Sequence, residues 1–296
     1  MRPEIEEAIQ LLRTGDSSRA DRVLELIQQT VFSFSMKVCG HREDAEDTSQ
    51  EVLFKATEHL PKLDDPGGLT SWLYTVAKNA CLMRRRKTKS VPQEMLSLDD
   101  LMPDREELET FEQSSFGSPE ESVLREEESE RVRQAVLRIP PQYRLILVLH
   151  DMEELSTEDV ARITGLTENT IRVRLHRARL FVRKELSANR RADRSRSRKP
   201  VRRASTKNRP QNCREMFAAL SDYLDARLAD SLCAELERHM SGCVPCQAFV
   251  QDLKQTIREI KTYKSDSIDV HAAAAIRRVV LQKYEAALNR SKTPTQ

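Results

Sequence analysis

Apolar residues recur along much of the chain at spacings of three and four, which is the period of an amphipathic helix. In the first third, this pattern covers Ala20, Val23, Leu24, Ile27, Val31 and Phe34. In the middle, it covers Val132, Ala135, Val136 and Ile139. Pro140 and Pro141 follow directly and predict the end of that helix. Residues 143–149 are apolar on nearly every side, so we expect them to be buried.

Two segments lack this pattern and carry charge of opposite sign. Residues 99–130 have a net charge of about −11, and residues 187–210 have a net charge of about +9. Neither segment holds enough apolar residues to build a core, so both are predicted to be linkers. We therefore divide the chain into helical blocks 1–90, 122–186 and 211–290, joined by an acidic linker (91–121) and a basic linker (187–210).

The composition also favours helices. The 296 residues include seven glycines and 5% aromatics, which argues against sheet folds with glycine-rich turns. We predict an all-α protein of two small helical bundles and a small helical metal-binding domain. No apolar run is long enough to cross a bilayer, and the N-terminus is acidic, so we expect a cytoplasmic protein without a membrane partner or signal peptide. In a reducing cytosol, clustered cysteines favour metal binding over disulfides.

Residues 156–183 have the spacing of a helix-turn-helix. Ser156 or Thr157 can cap a short helix, Gly165 permits the turn, and Ile171 anchors a second helix. The N-terminal residues of such a second helix contact base edges, and cations further along hold phosphates. The predicted DNA-binding residues are Thr170 and an exposed face of Glu168, Asn169, Arg172, Val173, His176, Arg177 and Arg179. The alternative is a packed helical pair with a solvated basic face.

The first block ends in two helical stretches of different charge. The stretch EDAEDTSQEVLFKATEHL begins acidic and becomes amphipathic. In GGLTSWLYTVAKNACLMRRRKTK, Trp72 lies on an apolar face, and the tail from Arg84 to Lys89 is basic enough to contact a phosphate backbone. A solvated helix end is the alternative for this tail, and a core position is the simplest interpretation of Trp72.

Taken in order, these stretches resemble the extracytoplasmic-function sigma factors of bacteria over residues 10–186. The resemblance implies that the chain binds core RNA polymerase, at its β′ clamp and β flap, and promoter DNA. The implied polymerase contacts are Asp44, Asp47, Gln50, Glu51 and Phe54. The helix-turn-helix would read the minus-thirty-five promoter element.

The basic helix of the first block would open and read the minus-ten element. The residues that the resemblance places at the DNA there are Asn79, Arg84, Arg85, Arg86 and Lys87. The family often has an Asp a few residues after that Asn, but the stretch ACLMRRR has none. This departure affects which promoter is read.

The third block holds a set of metal ligands, Cys213-x25-His239-x3-Cys243-x2-Cys246. Three thiolates and one imidazole complete a tetrahedral Zn²⁺ site without an open position, so we expect one structural ion. The block resembles the zinc-binding anti-sigma domain. The alternative is a small helical domain with buried free thiols. Cys233 lies outside the pattern, and Cys39 and Cys81 are predicted core residues.

The predicted function is that of a sigma factor that directs transcription initiation, and our hypothesis is that the zinc domain regulates it in cis. The alternatives are a helix-turn-helix regulator without sigma activity and a zinc-based redox sensor. No nucleophile–base pair or phosphate-binding glycine loop is present, so an enzyme is not expected. An amphipathic helix over 268–288 would either cover a DNA- or polymerase-binding face or complete the zinc domain. The sign of the zinc domain's effect stays open.

Overall fold

A computed structural model describes residues 3–14, 19–63, 65–88, 95–103, 123–195, 220–265 and 267–292. These residues form helices and turns without a strand, which confirms the all-α prediction. The α-helices are α1 (Pro3–Arg13), α2 (Ala20–Cys39), α3 (Arg42–His59), α4 (Leu69–Thr88), α5 (Leu98–Leu101), α6 (Val123–Arg138), α7 (Pro141–Leu147), α8 (Thr157–Thr164), α9 (Glu168–Ser195), α10 (Leu220–Leu224), α11 (Asp230–Ser241), α12 (Val244–Thr262) and α13 (Val270–Lys292). Among them, none is long and apolar enough to cross a membrane.

The helices form two compact units, each assembled from separated stretches of the chain. The first unit comprises Met1–Pro92, Val148–Thr167 and Lys264–Gln296. The second comprises Gln93–Leu147 and Glu168–Tyr263. The described parts of the two predicted linkers are partly helical, because α5 lies in the acidic one with Leu101 in a core cluster, and α9 continues into the basic one as far as Ser195. The rest of both segments lies outside the described residues, which omit 104–122 and 196–219.

In the first unit, α2 lies at the centre of a helical bundle with α1, α3 and α4. Its predicted apolar face is buried, as Leu24, Ile27 and Phe34 are fully inaccessible to solvent. The helix ends at Gly40, which adopts the left-handed conformation (φ 81°) and donates its backbone N–H to the Met36 carbonyl. The C-terminal helix α13 packs against α2 and α3 of this bundle.

A buried charged group joins the 148–167 segment to the bundle. A π-helical turn (Val148–Met152) is followed by Glu153, whose side chain has no solvent exposure. Its carboxylate accepts a hydrogen bond from the Lys37 ammonium at 2.8 Å and from the Tyr74 hydroxyl at 2.7 Å. Lys78 donates to the Ile163 carbonyl at 2.6 Å. These bonds hold the segment that contains α8 against α2 and α4.

In the second unit, α6 and α7 pack against the long helix α9. As predicted, α6 ends before Pro140, and the buried Arg144 guanidinium donates to the carbonyls of Leu137 and Ile139 at the C-terminal end of that helix. Helices α10 and α12 contact α9 as well, and α11 packs on α12. The shared core includes Leu180, Leu220, Leu236, Phe249 and Leu253.

Candidate nucleic-acid and metal sites

The predicted turn between α8 and α9 forms through the residues that the sequence indicated. Helix α8 begins after Ser156, whose hydroxyl accepts a hydrogen bond from the Asp159 backbone N–H at 3.0 Å. It ends at Gly165, which has φ 72° and donates its N–H to the Ala161 carbonyl at 2.8 Å. A side chain at this position would be strained, which explains the glycine. Helix α9 begins three residues later, at Glu168.

The first two turns of α9 present the side chains that were predicted to meet base edges. Glu168, Asn169, Arg172 and Val173 are exposed, and the predicted contacts Thr170 and Arg177 are half-buried. Arg172 forms an ion pair with Glu168 at 3.0 Å, one turn away. The opposite side of the helix is core, where Ile171, Leu175, Ala178 and Val182 are buried.

The expected exposure of His176 and Arg179 is wrong. His176 has 7% of its surface exposed, and its Nδ1 lies 2.8 Å from the Ser221 hydroxyl. Burial, together with the charges of Arg179 and Arg177, lowers the pKa of His176 to about 4. The imidazole is therefore neutral at physiological pH. The reason for the burial is that α10 packs over this part of α9.

Two arginines on the same side of α9 are completely buried against carboxylates of the third block. The Arg179 guanidinium donates to both oxygens of Asp225, at 2.8 and 3.0 Å. Arg183 lies 3.6 Å from an Asp252 oxygen, with its guanidinium carbon 4.6 Å from the centre of the Phe249 ring. Sequence reasoning missed these partners, because no local pattern relates α9 to residues 46 or more positions away.

The predicted polymerase contacts share the solvent-facing side of α3. Asp47 and Phe54 are exposed, whereas Asp44, Gln50 and Glu51 are half-buried. Helix α13 reaches this side, where the Lys283 ammonium lies 4.6 Å from the centre of the Phe54 ring.

Helix α13 is also tied to α2 by a buried cation. Arg277 is 8% exposed and donates to Gln28 at 3.0 Å. It lies 3.6 Å from Asp21 and 3.5 Å from Glu25. Of the two placements that the sequence left open for the C-terminal helix, the structure has it on the bundle that carries the predicted polymerase contacts.

Helix α4 carries the predicted minus-ten contacts. Asn79 is exposed, and Trp72 is half-buried with its ring stacked on His59 at 4.3 Å between ring centres. Burial, reinforced by the charge of Lys62, lowers the pKa of His59. The helix continues to Thr88, but the side chains of Arg84, Arg85, Arg86 and Lys87 lie outside the described residues.

The third block brings three of the four predicted metal ligands together. His239 is in the last turn of α11, Cys243 caps α12, and Cys246 is in the first turn of α12. Their ligand atoms all lie within 4.8 Å of one another, with 3.2 Å between the two sulfurs and 3.5 Å between Cys246 Sγ and His239 Nε2. Tetrahedral Zn²⁺ with ordinary bond lengths requires separations of about 3.5 to 3.8 Å. The sulfur–nitrogen separation meets this requirement, whereas the two sulfurs would have to move apart by about 0.5 Å to bind one ion. Two thiols and an imidazole are ligand types that zinc prefers.

The fourth predicted ligand, Cys213, lies outside the described residues. Cys233 is apart from the cluster, since its thiol donates to the Leu228 carbonyl at 3.5 Å. Cys39 and Cys81 are buried, as predicted.

Three family models match successive parts of this chain. They are “Sigma-70 region 2” over residues 24–91, “Sigma-70, region 4” over residues 129–182 and “Putative zinc-finger” over residues 213–247. The order of these matches agrees with the order of the three sites described above.

Similar curated proteins include several sigma factors. The ECF RNA polymerase sigma factor SigW of Bacillus subtilis is 27% identical over 184 residues, which is 62% of this chain and 96% of that protein. The RNA polymerase sigma-H factor of Pseudomonas aeruginosa is 26% identical over 189 residues, covering 61% and 93%. The ECF RNA polymerase sigma factor SigM of Mycobacterium tuberculosis is 29% identical over 165 residues, covering 56% and 76%.

Proposed function

Because the chain belongs to the extracytoplasmic-function sigma factors and carries a fused zinc-finger domain, we propose how its three blocks divide the work of transcription initiation. Block 1–90 binds the polymerase clamp and the minus-ten element, and block 122–186 binds the minus-thirty-five element and the β flap. Block 211–290 holds zinc and regulates the other two. Because core RNA polymerase is in the cytoplasm, we assign the chain to the cytoplasm as well.

The polymerase contact is assigned to the outer side of α3. Asp44, Asp47 and Glu51 give this side negative charge, and Phe54 adds an exposed aromatic ring of the kind that anchors protein interfaces. The acidic groups suit a basic partner surface. The observation that supports this best is that the predicted contacts share one side of the helix, away from the buried Val52 and Leu53.

The DNA contacts are assigned to α4 and α9. On α9, the exposed Asn169, Arg172 and Val173 offer a hydrogen-bonding amide, a cation and an apolar contact to the major groove. On α4, Asn79 and the cations from Arg84 to Lys87 are assigned to the melted strand and its phosphates. These roles consist of binding and of stabilising open DNA, and we assign no catalytic step to the chain.

The zinc ion is assigned a structural role, with Cys213 as fourth ligand to one ion. His239 and Cys246 lie on different helices, so an ion held by them would cross-link the ends of α11 and α12. A site of three thiolates and one imidazole has no open position for a substrate.

The test is run-off transcription with core polymerase on a template pool of randomised promoter sequence. The full chain should start transcription without another sigma factor, whereas a helix-turn-helix regulator would need one. Asp47→Asn and Phe54→Ala should reduce the transcript yield, because both side chains are assigned to the polymerase. Glu6→Gln, which removes an exposed charge from α1, is the matched control and should leave the yield unchanged. If the full chain starts no transcription on any template, the sigma assignment is wrong.

A second comparison tests the sign of regulation. A chain that ends at Ala188 lacks the zinc-finger block. A higher transcript yield from this chain than from the full chain means that the block inhibits. A lower yield from a folded chain means that it contributes to initiation.

A further inference from the structure

The zinc-finger domain covers one side of α9, and it is the side that the predicted DNA-reading residues occupy. With 3.6 residues per turn, Asn169, Arg172 and Val173 lie on the side of α9 that also carries His176, Arg179 and Arg183 further along. The first three are exposed, whereas the last three are buried by α10, α12 and the turn after α10. The core positions Ile171, Leu175, Ala178 and Val182 lie on the opposite side. The zinc-finger domain therefore packs on the same side of α9 as the predicted DNA-reading residues, directly after them along the helix.

Two of the three covered groups, Arg179 and Arg183, are cations, and the groups that cover them are carboxylates. Asp225 meets the Arg179 guanidinium with two parallel hydrogen bonds, at 2.8 and 3.0 Å. A phosphate binds an arginine with the same geometry, because two of its oxygens accept parallel hydrogen bonds from one guanidinium. Asp252 lies next to Arg183 and accepts a hydrogen bond from the Ser187 hydroxyl at 3.2 Å. Each aspartate thus places negatively charged oxygens next to an arginine, as a DNA phosphate would at the same position.

The position along the helix also corresponds to a phosphate strand. The major groove is about 12 Å wide, and a helix rises about 1.5 Å per residue. About eight residues, 168–175, would fill the groove, and the next turns would meet the backbone that borders it. The covered groups begin at His176, directly after that length.

We infer that the zinc-finger domain is a carboxylate mimic of the DNA backbone that competes with duplex DNA for the Arg179–Arg183 side of α9. This inference rests on the proposed DNA-binding role of α9. Asn169 and Arg172 stay exposed, but the arginines that would hold the phosphates of the duplex are paired with Asp225 and Asp252. Release of the domain returns two cations to the phosphate-binding surface.

The metal site is connected to this contact through α12. Cys243 and Cys246 hold the start of α12, and Phe249 and Asp252 follow within the next two turns of the same helix. The side chain of Phe249 has no solvent exposure and packs on the Arg183 guanidinium. A zinc ion bound by these residues would therefore fix the helix that presents one of the two carboxylates.

The test measures how the full chain binds a fluorescein-labelled duplex of random sequence at several salt concentrations. Asp225→Asn and Asp252→Asn keep the side-chain shapes and remove the charges. Each released arginine that contacts a phosphate should steepen the slope of log affinity against log salt by about 0.9. The affinity gain of the double variant should therefore be about tenfold larger at 50 mM than at 200 mM salt. The matched control Glu235→Gln removes an exposed charge from α11 and should bind like the wild type.

Further variants separate the possible outcomes. Arg172→Ala in the double variant should weaken DNA binding, because it removes a cation from the exposed part of the same surface. The single variants should each show about half of the change in slope, which guards against misfolding of the double variant. If the variants lose thermal stability but bind DNA with the wild-type slope, the carboxylates only stabilise the fold, and the inference is wrong.

Run-off transcription separates this inference from the proposed function. If the wild type starts transcription but the variants bind DNA as it does, only the inference fails. If the variants gain affinity as expected but no chain starts transcription, the competition stands and the sigma assignment fails.

Discussion

At the scale of single residues, the most informative side chains are polar groups that the fold has buried. His176 illustrates the point. Its position on α9 predicts a DNA contact, but the side chain is almost completely buried. The neutral imidazole can be buried beside Ser221 under α10. A charged imidazole would be destabilised there, because burial and the charges of Arg179 and Arg177 disfavour it.

The stability of the protein should depend on pH through His176. Its pKa falls from 6.5 in the unfolded chain to about 4 in the folded chain. The unfolded state therefore binds a proton first as the pH drops, so stability is full above 6.5 and declines as the pH falls toward 4. Between pH 7 and pH 5, this group should lower the free energy of unfolding by about 2 kcal/mol.

Urea unfolding at several pH values checks this expectation. His176→Gln keeps a hydrogen-bonding side chain but cannot titrate, so the difference between wild type and variant isolates the imidazole. Between pH 7 and pH 5, the free energy of unfolding should fall by about 2 kcal/mol less in the variant than in the wild type. Parallel curves for the two proteins would mean that His176 is solvated in the folded state.

At the scale of elements, two helices are placed by contacts that their amphipathic patterns do not specify. Helix α13 packs on α2 and α3, and helix α12, which carries the predicted metal ligand Cys246, packs on α9. In each case an arginine is buried at the contact, Arg277 in the first and Arg183 in the second.

Arg277→Ala should release α13 from the bundle. The variant removes the hydrogen bond to Gln28 and the ion pairs with Asp21 and Glu25, so the amide hydrogens of α13 should exchange faster with solvent. Core polymerase should bind more tightly, because α13 lies over Phe54. Arg278→Ala changes the adjacent, exposed arginine and is the control. Equal exchange rates in the two variants would contradict the anchoring role of Arg277.

Cys246→Ser should remove zinc and loosen α12. The wild-type chain should hold about one zinc ion, released by a thiol reagent and counted with a metal indicator, and the variant should hold far less. The melting temperature should drop, since binding energy of the metal is folding energy in small metal-binding domains. Cys233→Ser removes a thiol outside the cluster and should keep the ion. Equal zinc content in both variants would show that the ligand set is wrong.

At the scale of the whole molecule, each unit is built from stretches that are far apart in the chain. The clearest example is the ion pair between Lys37 and Glu153, which are separated by 116 positions and have no side-chain exposure. This pair joins the turn before α8 to α2, and the Tyr74 hydroxyl adds a bond from α4. The first unit therefore depends on a charged group that the middle of the chain supplies.

Glu153→Gln should destabilise the protein strongly. It leaves the Lys37 ammonium buried without its charged partner, and removal of one member of a buried pair costs about 3 to 5 kcal/mol. Glu158→Gln breaks a surface pair with Arg162 and should change the free energy of unfolding by less than about 1 kcal/mol. Chemical denaturation of the two variants measures the contrast. Similar losses would mean that Glu153 is accessible to water.

The sequence alone determined the all-α class, both ends of α8 and the spacing of three predicted metal ligands. These features are local: Ser156 caps the residues beside it, Gly165 is needed for its own φ, and His239, Cys243 and Cys246 lie within eight positions. Tertiary structure decided which groups meet. The pairing of Arg179 with Asp225, of Lys37 with Glu153 and of Lys283 with Phe54 joins residues far apart in the chain. A helical period marks a buried side of one helix, but it does not specify which other helix covers that side, because burial and ion pairing depend on the folded arrangement of the whole unit.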